Sequence, residues 1–155
     1  MNVRLATIDD LPALEKLVGY FWDEQHEKFG LPKLVEPTIG IIRFGIATGQ
    51  AVVVAVHHLE IVGWIARVQM PGLPEGLGIG VGKWTFEPFR QEHVCRDMEQ
   101  FADEHARRAG ATVLTGEVAK DNVAGIRSAL AAGWRVTGYK IEKTLERPAR
   151  YEEAT

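Results

Sequence analysis

The apolar positions of this chain change period several times, and each change predicts an element. Over residues 2–6, Val3 and Leu5 share one face of a short strand. Leu11, Leu14, Leu17, Val18, Phe21 and Trp22 then recur at helical spacing. Thr7 caps that helix, and Asp9 and Asp10 sit at the positive end of its dipole. The helix turns polar through Asp23, Glu24, Gln25, His26, Glu27 and Lys28, a solvated face by composition, and Gly30 with Pro32 ends it. A second helix over 37–47 carries Ile39, Ile41, Ile42, Phe44 and Ile46. The unbroken run 51–56, Ala-Val-Val-Val-Ala-Val, is that of a strand buried on both faces, with 60–69 as its antiparallel partner. Their link lacks the Asn-Gly of the tightest hairpins and is expected to be a longer turn, on which His57 and His58 are solvated.

Residues 70–76 form a loop by composition. Gly76, Gly78, Gly80 and Gly82 then alternate along a strand, which strips one face so that another backbone or a ligand can approach. They do not make a dinucleotide fingerprint, because Val81 or Lys83 falls where the third glycine belongs. A helix over 93–108 places Val94, Met98, Phe101, Ala102 and His105 on one face, with Arg96, Asp97, Glu99, Gln100 and Asp103 opposite. Gly110 ends it. An apolar run over 113–118 precedes a helix that opens at Asp121 or Asn122, runs through Val123, Ile126 and Leu130, and stops at Gly133. The stretch from 84 to 134 is therefore a βαβα unit, and a turn feeding a helix start offers free N–H groups to an anion. Residues 135–145 alternate well enough for one or two closing strands.

Composition narrows this picture. A chain of 155 residues suits one domain, taken as 1–146 with a polar tail over 147–155. A net charge of −3 gives no reason to expect nucleic acid or an anionic membrane as the main partner. The single cysteine, Cys95, excludes an internal disulfide and suits a reducing, cytoplasmic setting. No window approaches the roughly 20 apolar residues of a membrane span.

The group Phe86-Glu87-Pro88, Arg90, Met98, Ala106, Gly110, Glu117-Val118, Asn122 and Gly133-Trp134 resembles the GNAT superfamily of N-acetyltransferases. The more specific part is the spacing Val118-x3-Asn122-x10-Gly133-Trp134. The resemblance implies an α/β single-domain acetyltransferase-like fold, a mixed central sheet of about six or seven strands flanked by about four helices. It implies acetyl-CoA as co-substrate and a primary amine of a small molecule or protein as acceptor; a homodimer is compatible with it. The first helices would lie over the acceptor site, which gives the acidic run from Asp23 a second reading as an edge for a cationic amine. Backbone N–H groups near Trp84, Thr85 and Phe86 would meet the thioester carbonyl. Arg90, Gln91, Glu92, His93, Val94 and Cys95 would form the pyrophosphate loop, and Asn122 would contact the pantetheine or cap its helix.

Two features depart from the family. His93 and Cys95 stand where the loop has glycines, and Ala129 stands where a tyrosine often acts as general acid. Glu87 and Glu117, near the ends of the two strands flanking the cleft, are candidates for the base. Ser128 or Tyr139 is a candidate for protonating the thiolate. His93 and Cys95 lack the further ligands a metal needs, so no metal is expected. The competing reading is a catalytically silent acetyltransferase fold that binds acyl-CoA or a protein partner.

Overall fold

In the computed structural model, which describes residues 1–90, 93–143 and 145, five strands pair in sequence order. Strands β1 (Asn2–Leu5), β2 (Ala51–His57), β3 (Glu60–Val68) and β4 (Leu77–Thr85) are antiparallel neighbours, and β5 (Val113–Gly116) joins β4 in parallel. Helices α1 (Leu11–Phe29) and α2 (Val35–Ala47) cover one face, and α3 (Val94–Arg108) covers the other; α4 (Val123–Ala131) follows β5. The α/β class, mixed sheet and four helices are those expected.

The unbroken apolar run of β2 is explained by two cores. Val52 and Val54 pack with Leu14, Leu17, Val18, Ile39 and Ile42 of α1 and α2. Ala51, Val53 and Ala55 pack with Val94, Met98, Ala102 and Ala106 of α3. Leu14 and Val18 are 0% exposed, and each such side chain contributes about 1.5–3 kcal/mol by leaving water.

Three expectations are corrected. The strand count is five among the described residues, because 135–143 carries no strand. Val136, Tyr139 and Ile141 there stay exposed, and the segment leaves the outer edge of β5 unpaired. The β2–β3 link is also tighter than expected. His58 and Leu59 alone make the turn with φ of 48° and 67°, a left-handed pair whose twist matches that of the strands. On α3 the predicted faces blur: Glu99 is buried, whereas Phe101 is 38% exposed. The stripped face of β4 is filled by the chain itself, one of the alternatives its alternating glycines allow. A side chain on Gly80 would meet the Trp134 ring at 3.2 Å, and one on Gly78 would meet Leu114 at 2.7 Å. The expected tail over 147–155 lies outside the described residues.

Candidate active site

The site follows from where β4 and β5 part. Their parallel pairing runs from Leu77 to Gly80 against Val113 to Gly116 and goes no further. From Val81 to Thr85, β4 keeps only β3 as a partner. Val81 is the extra residue of a bulge, since Ala66 faces Gly82 while Arg67 faces Gly80. The Phe86 N–H donates to the Val62 carbonyl at 3.0 Å. Antiparallel ladders alternate, so that bond turns the Trp84 N–H toward β3 as well and aims those of Lys83 and Thr85 into the split. Of the three residues expected to present N–H groups there, only Thr85 does. Lys83 takes the place of the other two.

At the wide end of the split lies the start of α3. Among the described residues the Asp97 N–H is the first to find a helical carbonyl, that of His93, at 2.9 Å. No side chain among the described residues caps this end, and the N–H groups of Val94, Cys95 and Arg96 find no acceptor among them, an arrangement that suits an anion. His93 adopts φ 56°, the left-handed conformation that glycine takes without a Cβ penalty. Val94 is a core residue, 1% exposed, so only its backbone is available. Cys95 Sγ lies 3.3 Å from Thr85 Oγ1, tying α3 to β4. Gln91 and Glu92 lie outside the described residues.

Arg90 is already engaged. Its Nε donates to the Thr85 carbonyl at 2.8 Å, and its two terminal nitrogens donate to Glu24 of α1 at 3.0 and 2.8 Å. Glu24 also accepts from Trp84 Nε1 at 2.7 Å and Lys28 Nζ at 2.6 Å. Burial pushes the Glu24 carboxyl up, but the hydrogen bonds from Arg90, Lys28 and Trp84 outweigh it and hold the group at about 2. Trp84 packs with Tyr20 and Phe86, ring centroids 5.8 and 4.8 Å away, into an aromatic wall on this face. Most of the acidic end of α1 is the solvated face expected, with Asp23, His26, Glu27 and Lys28 exposed, while the inward carboxylate of Glu24 is taken up by these partners.

The opposite face of β4 carries a second ionic group. Arg67 is 5% exposed and donates to Glu99 at 2.7 Å and to Asp103 at 3.4 Å, while the Trp134 ring lies 5.2 Å from its guanidinium. Lys83 donates to Glu99 at 2.8 Å and to Ser128 of α4 at 2.9 Å. Burial raises the Asp103 carboxyl, partly opposed by the Arg67 charge.

The other sequence candidates are dispersed. Glu87 is exposed in the turn after β4. Glu117, just past β5, is exposed and meets Lys140 at 3.4 Å. Tyr139 is 94% exposed and packs against nothing in the split. Asn122 is the cap of α4, its Oδ1 accepting from the Gly125 N–H at 2.9 Å. Ser128 alone among the catalytic candidates is held by a hydrogen bond at the split. Sequence reasoning missed Lys83, Glu99 and Arg67. The available signal was that Lys83 is the single charged residue in a nine-residue strand.

No protein-family model and no curated protein matches the sequence. Solved structures do match in fold. Ribosomal-protein-alanine N-acetyltransferase from Brucella melitensis aligns with a TM-score of 0.71 at 19% identity, covering 89% of this chain and 86% of that one. YncA from Salmonella typhimurium, solved with its cofactor acetyl-CoA, gives 0.71 at 16% identity over 88% and 80% of the two chains. Aminoglycoside N-acetyltransferase AAC(6')-Iy in complex with CoA gives 0.65 at 12% identity over 94% and 100%. This chain has the fold of those acetyltransferases.

Proposed function

We propose that the chain is an acetyl-CoA-dependent N-acetyltransferase that moves an acetyl group to a primary amine of a small molecule or protein. The observation that carries this reading is the parting of β4 and β5 beside an uncapped helix start. The split leaves the N–H groups of Lys83 and Thr85 without strand partners, and the start of α3, joined to β4 through Cys95 and Thr85, adds three that find no acceptor among the described residues. An acyl thioester on a phosphorylated carrier needs that pair of features: donors for a developing oxyanion, and backbone N–H groups for a diphosphate. The shared fold with an enzyme solved with CoA and a protein solved with acetyl-CoA supports the same donor.

In this reading Arg90 serves the diphosphate once Glu24 yields it. Glu87 and Glu117, at the ends of the diverging strands, take the proton from the amine directly or through water. Glu24, held at about 2, is too weak a base for that task. The aromatic wall of Tyr20, Trp84 and Phe86 lines the acceptor side. A cytoplasmic location belongs to the same proposal; no helix among the described residues is long and apolar enough to cross a membrane.

Thermal denaturation with acetyl-CoA tests the reading. At about 100 times Kd the ligand stabilises the native state by about 2.7 kcal/mol, a rise in Tm of roughly 5–10 °C for a chain of this size. NAD at the same concentration is expected to give no shift. Absence of a shift with acetyl-CoA, CoA and longer acyl-CoAs at millimolar concentration defeats the enzyme reading. A shift with no turnover on any amine selects the silent acyl-CoA-binding module instead.

A further inference from the structure

One charged group at the split has no part in the steps above. Lys83 projects from β4 toward α3 and α4, and its Nζ bonds Glu99 Oε1 at 2.8 Å and Ser128 Oγ at 2.9 Å. An ammonium has three N–H donors, so these two bonds leave one over. The Lys83–Ser128 bond runs from β4 to the helix that follows β5, and therefore crosses the split where the strands part. The backbone N–H of the same lysine faces that gap.

Resting on the acyl-thioester reading, we propose that the Lys83 ammonium, fixed by Glu99 and Ser128, is the cation that receives the donor's sulfur as its C–S bond breaks. The amine nitrogen forms the new C–N bond, and the electron pair of the C–S bond passes to sulfur, which leaves as a thiolate paired with Lys83 and the Ser128 hydroxyl. The amine arrives as an ammonium and sheds two protons on becoming an amide. One is released to solvent, and the other protonates CoA as it departs.

The surroundings allow the charge. From α3 come Glu99 and Asp103, from β3 comes Arg67, and α4 supplies the neutral Ser128. Two cations thus face two carboxylates, and an arriving anion meets no excess of negative charge. On the far face of β4, Glu24 is matched by Arg90 and Lys28. Glu99, shared between Arg67 and Lys83, is only 7% exposed and holds the lysine in place.

The test titrates the thiol of CoA bound to the intact protein, read by the ultraviolet absorbance of the thiolate, with desulfo-CoA as the sulfur-free control. A cation in contact with the sulfur lowers the thiol pKa by on the order of one unit, which is thiolate binding about tenfold tighter than thiol binding. Wild type and Lys83→Arg are expected to show that shift, Ser128→Ala a smaller one, and Lys83→Met none, while desulfo-CoA binds all four alike. Lys83→Met is further expected to lower turnover without weakening acetyl-CoA. Bound CoA that ionises at the same pH in wild type as in free solution overturns the proposal and leaves the acyl-CoA reading standing. If neither CoA nor acetyl-CoA binds wild type, both fall together. Should Lys83→Met fail to fold, Ser128→Ala decides: a thiol shift equal to wild type counts against the pair.

Discussion

The two ionic groups on opposite faces of β4 are alike in composition and unlike in setting. On the α3 side, Arg67 and Glu99 have side chains 4% and 9% exposed, and Lys83 joins them from the sheet itself. On the α1 side, Glu24 is 21% exposed, while its partners Arg90 and Lys28 are 36% and 56% exposed. The first is built on two strands and a packed helix. The second joins a helix end to a turn at the mouth of the split. A buried pair broken on one side leaves a charge that water cannot reach, whereas a half-exposed pair exchanges its partner for water at little cost. The first group therefore fixes geometry, and the second can open for a ligand.

The largest effect expected from this contrast is at Arg67. Arg67→Met strands Glu99 with Lys83 alone and is expected to lower stability by about 3–5 kcal/mol, measured as a lower urea midpoint with unchanged slope. Because the pair is shielded, added salt should change that loss little. A loss below about 1 kcal/mol, within the range of surface pairs, breaks the contrast. Asn122 lies outside both groups and calibrates them. Asn122→Ala removes the cap on the Gly125 N–H and should cost about 1 kcal/mol, with most of it recovered in Asn122→Ser. Acetyl-CoA affinity that falls in both variants makes Asn122 a ligand contact as well.

Glu24 should matter less at neutral pH and more in acid. Glu24→Gln is expected to cost about 1 kcal/mol or less at pH 7, since its partners are half-exposed and screened. The sign follows from the depressed carboxyl. Its native value of about 2 lies below the ordinary 4.5, so the unfolded chain takes the proton first. The contribution is complete above 4.5 and drains away as pH falls toward 2. Urea unfolding at a series of pH values should show the gap between wild type and Glu24→Gln closing over that window. A gap independent of pH removes Glu24 as a charged clamp. Freed from Glu24, Arg90 should also bind acetyl-CoA more tightly in the variant.

Most of the scaffold was legible in the sequence because its signals are local. The β-branched run of β2, the cap of α4, and the period of α3 each constrain only neighbouring residues; Thr7, read as the cap of α1, instead precedes a short 3-10 turn over Ile8–Asp10. The site was legible as a region, and its roles were not. Glu24 and Arg90 are 66 positions apart, and nothing in an acidic helix end says which carboxylate will be saturated. Glu99 sits on the polar side of its helix by spacing and is buried only because Arg67 and Lys83 come to it from the sheet. The N–H groups facing the split depend on ladder parity and on the bulge at Val81, both tertiary outcomes. Residues 135–143 fail for the converse reason. Alternation tells which side of a strand is apolar, but not whether the segment pairs with an edge such as that of β5.

The smallest expected effect is at His93, where it sharpens the contrast most finely. A left-handed non-glycine residue costs about 1–2 kcal/mol, and glycine returns about 0.5–1 kcal/mol of that through its greater unfolded freedom. His93→Gly should therefore stabilise the fold by about 0.5 kcal/mol, not weaken it as helix propensity alone suggests. It also removes a Cβ beside the N–H groups at the start of α3, so a diphosphate should bind more tightly. If the Glu24 group is a clamp that opens independently of the fold, the effects of His93→Gly and Glu24→Gln should add in the double variant, because the residues share no partner. Chemical denaturation gives the stability term, and calorimetric titration with acetyl-CoA gives the binding term. Additive stability with more than additive binding means that the clamp and the loop both act on the donor. A His93→Gly protein that is less stable than wild type means that the imidazole has contacts of its own and that the left-handed turn is not a strained one.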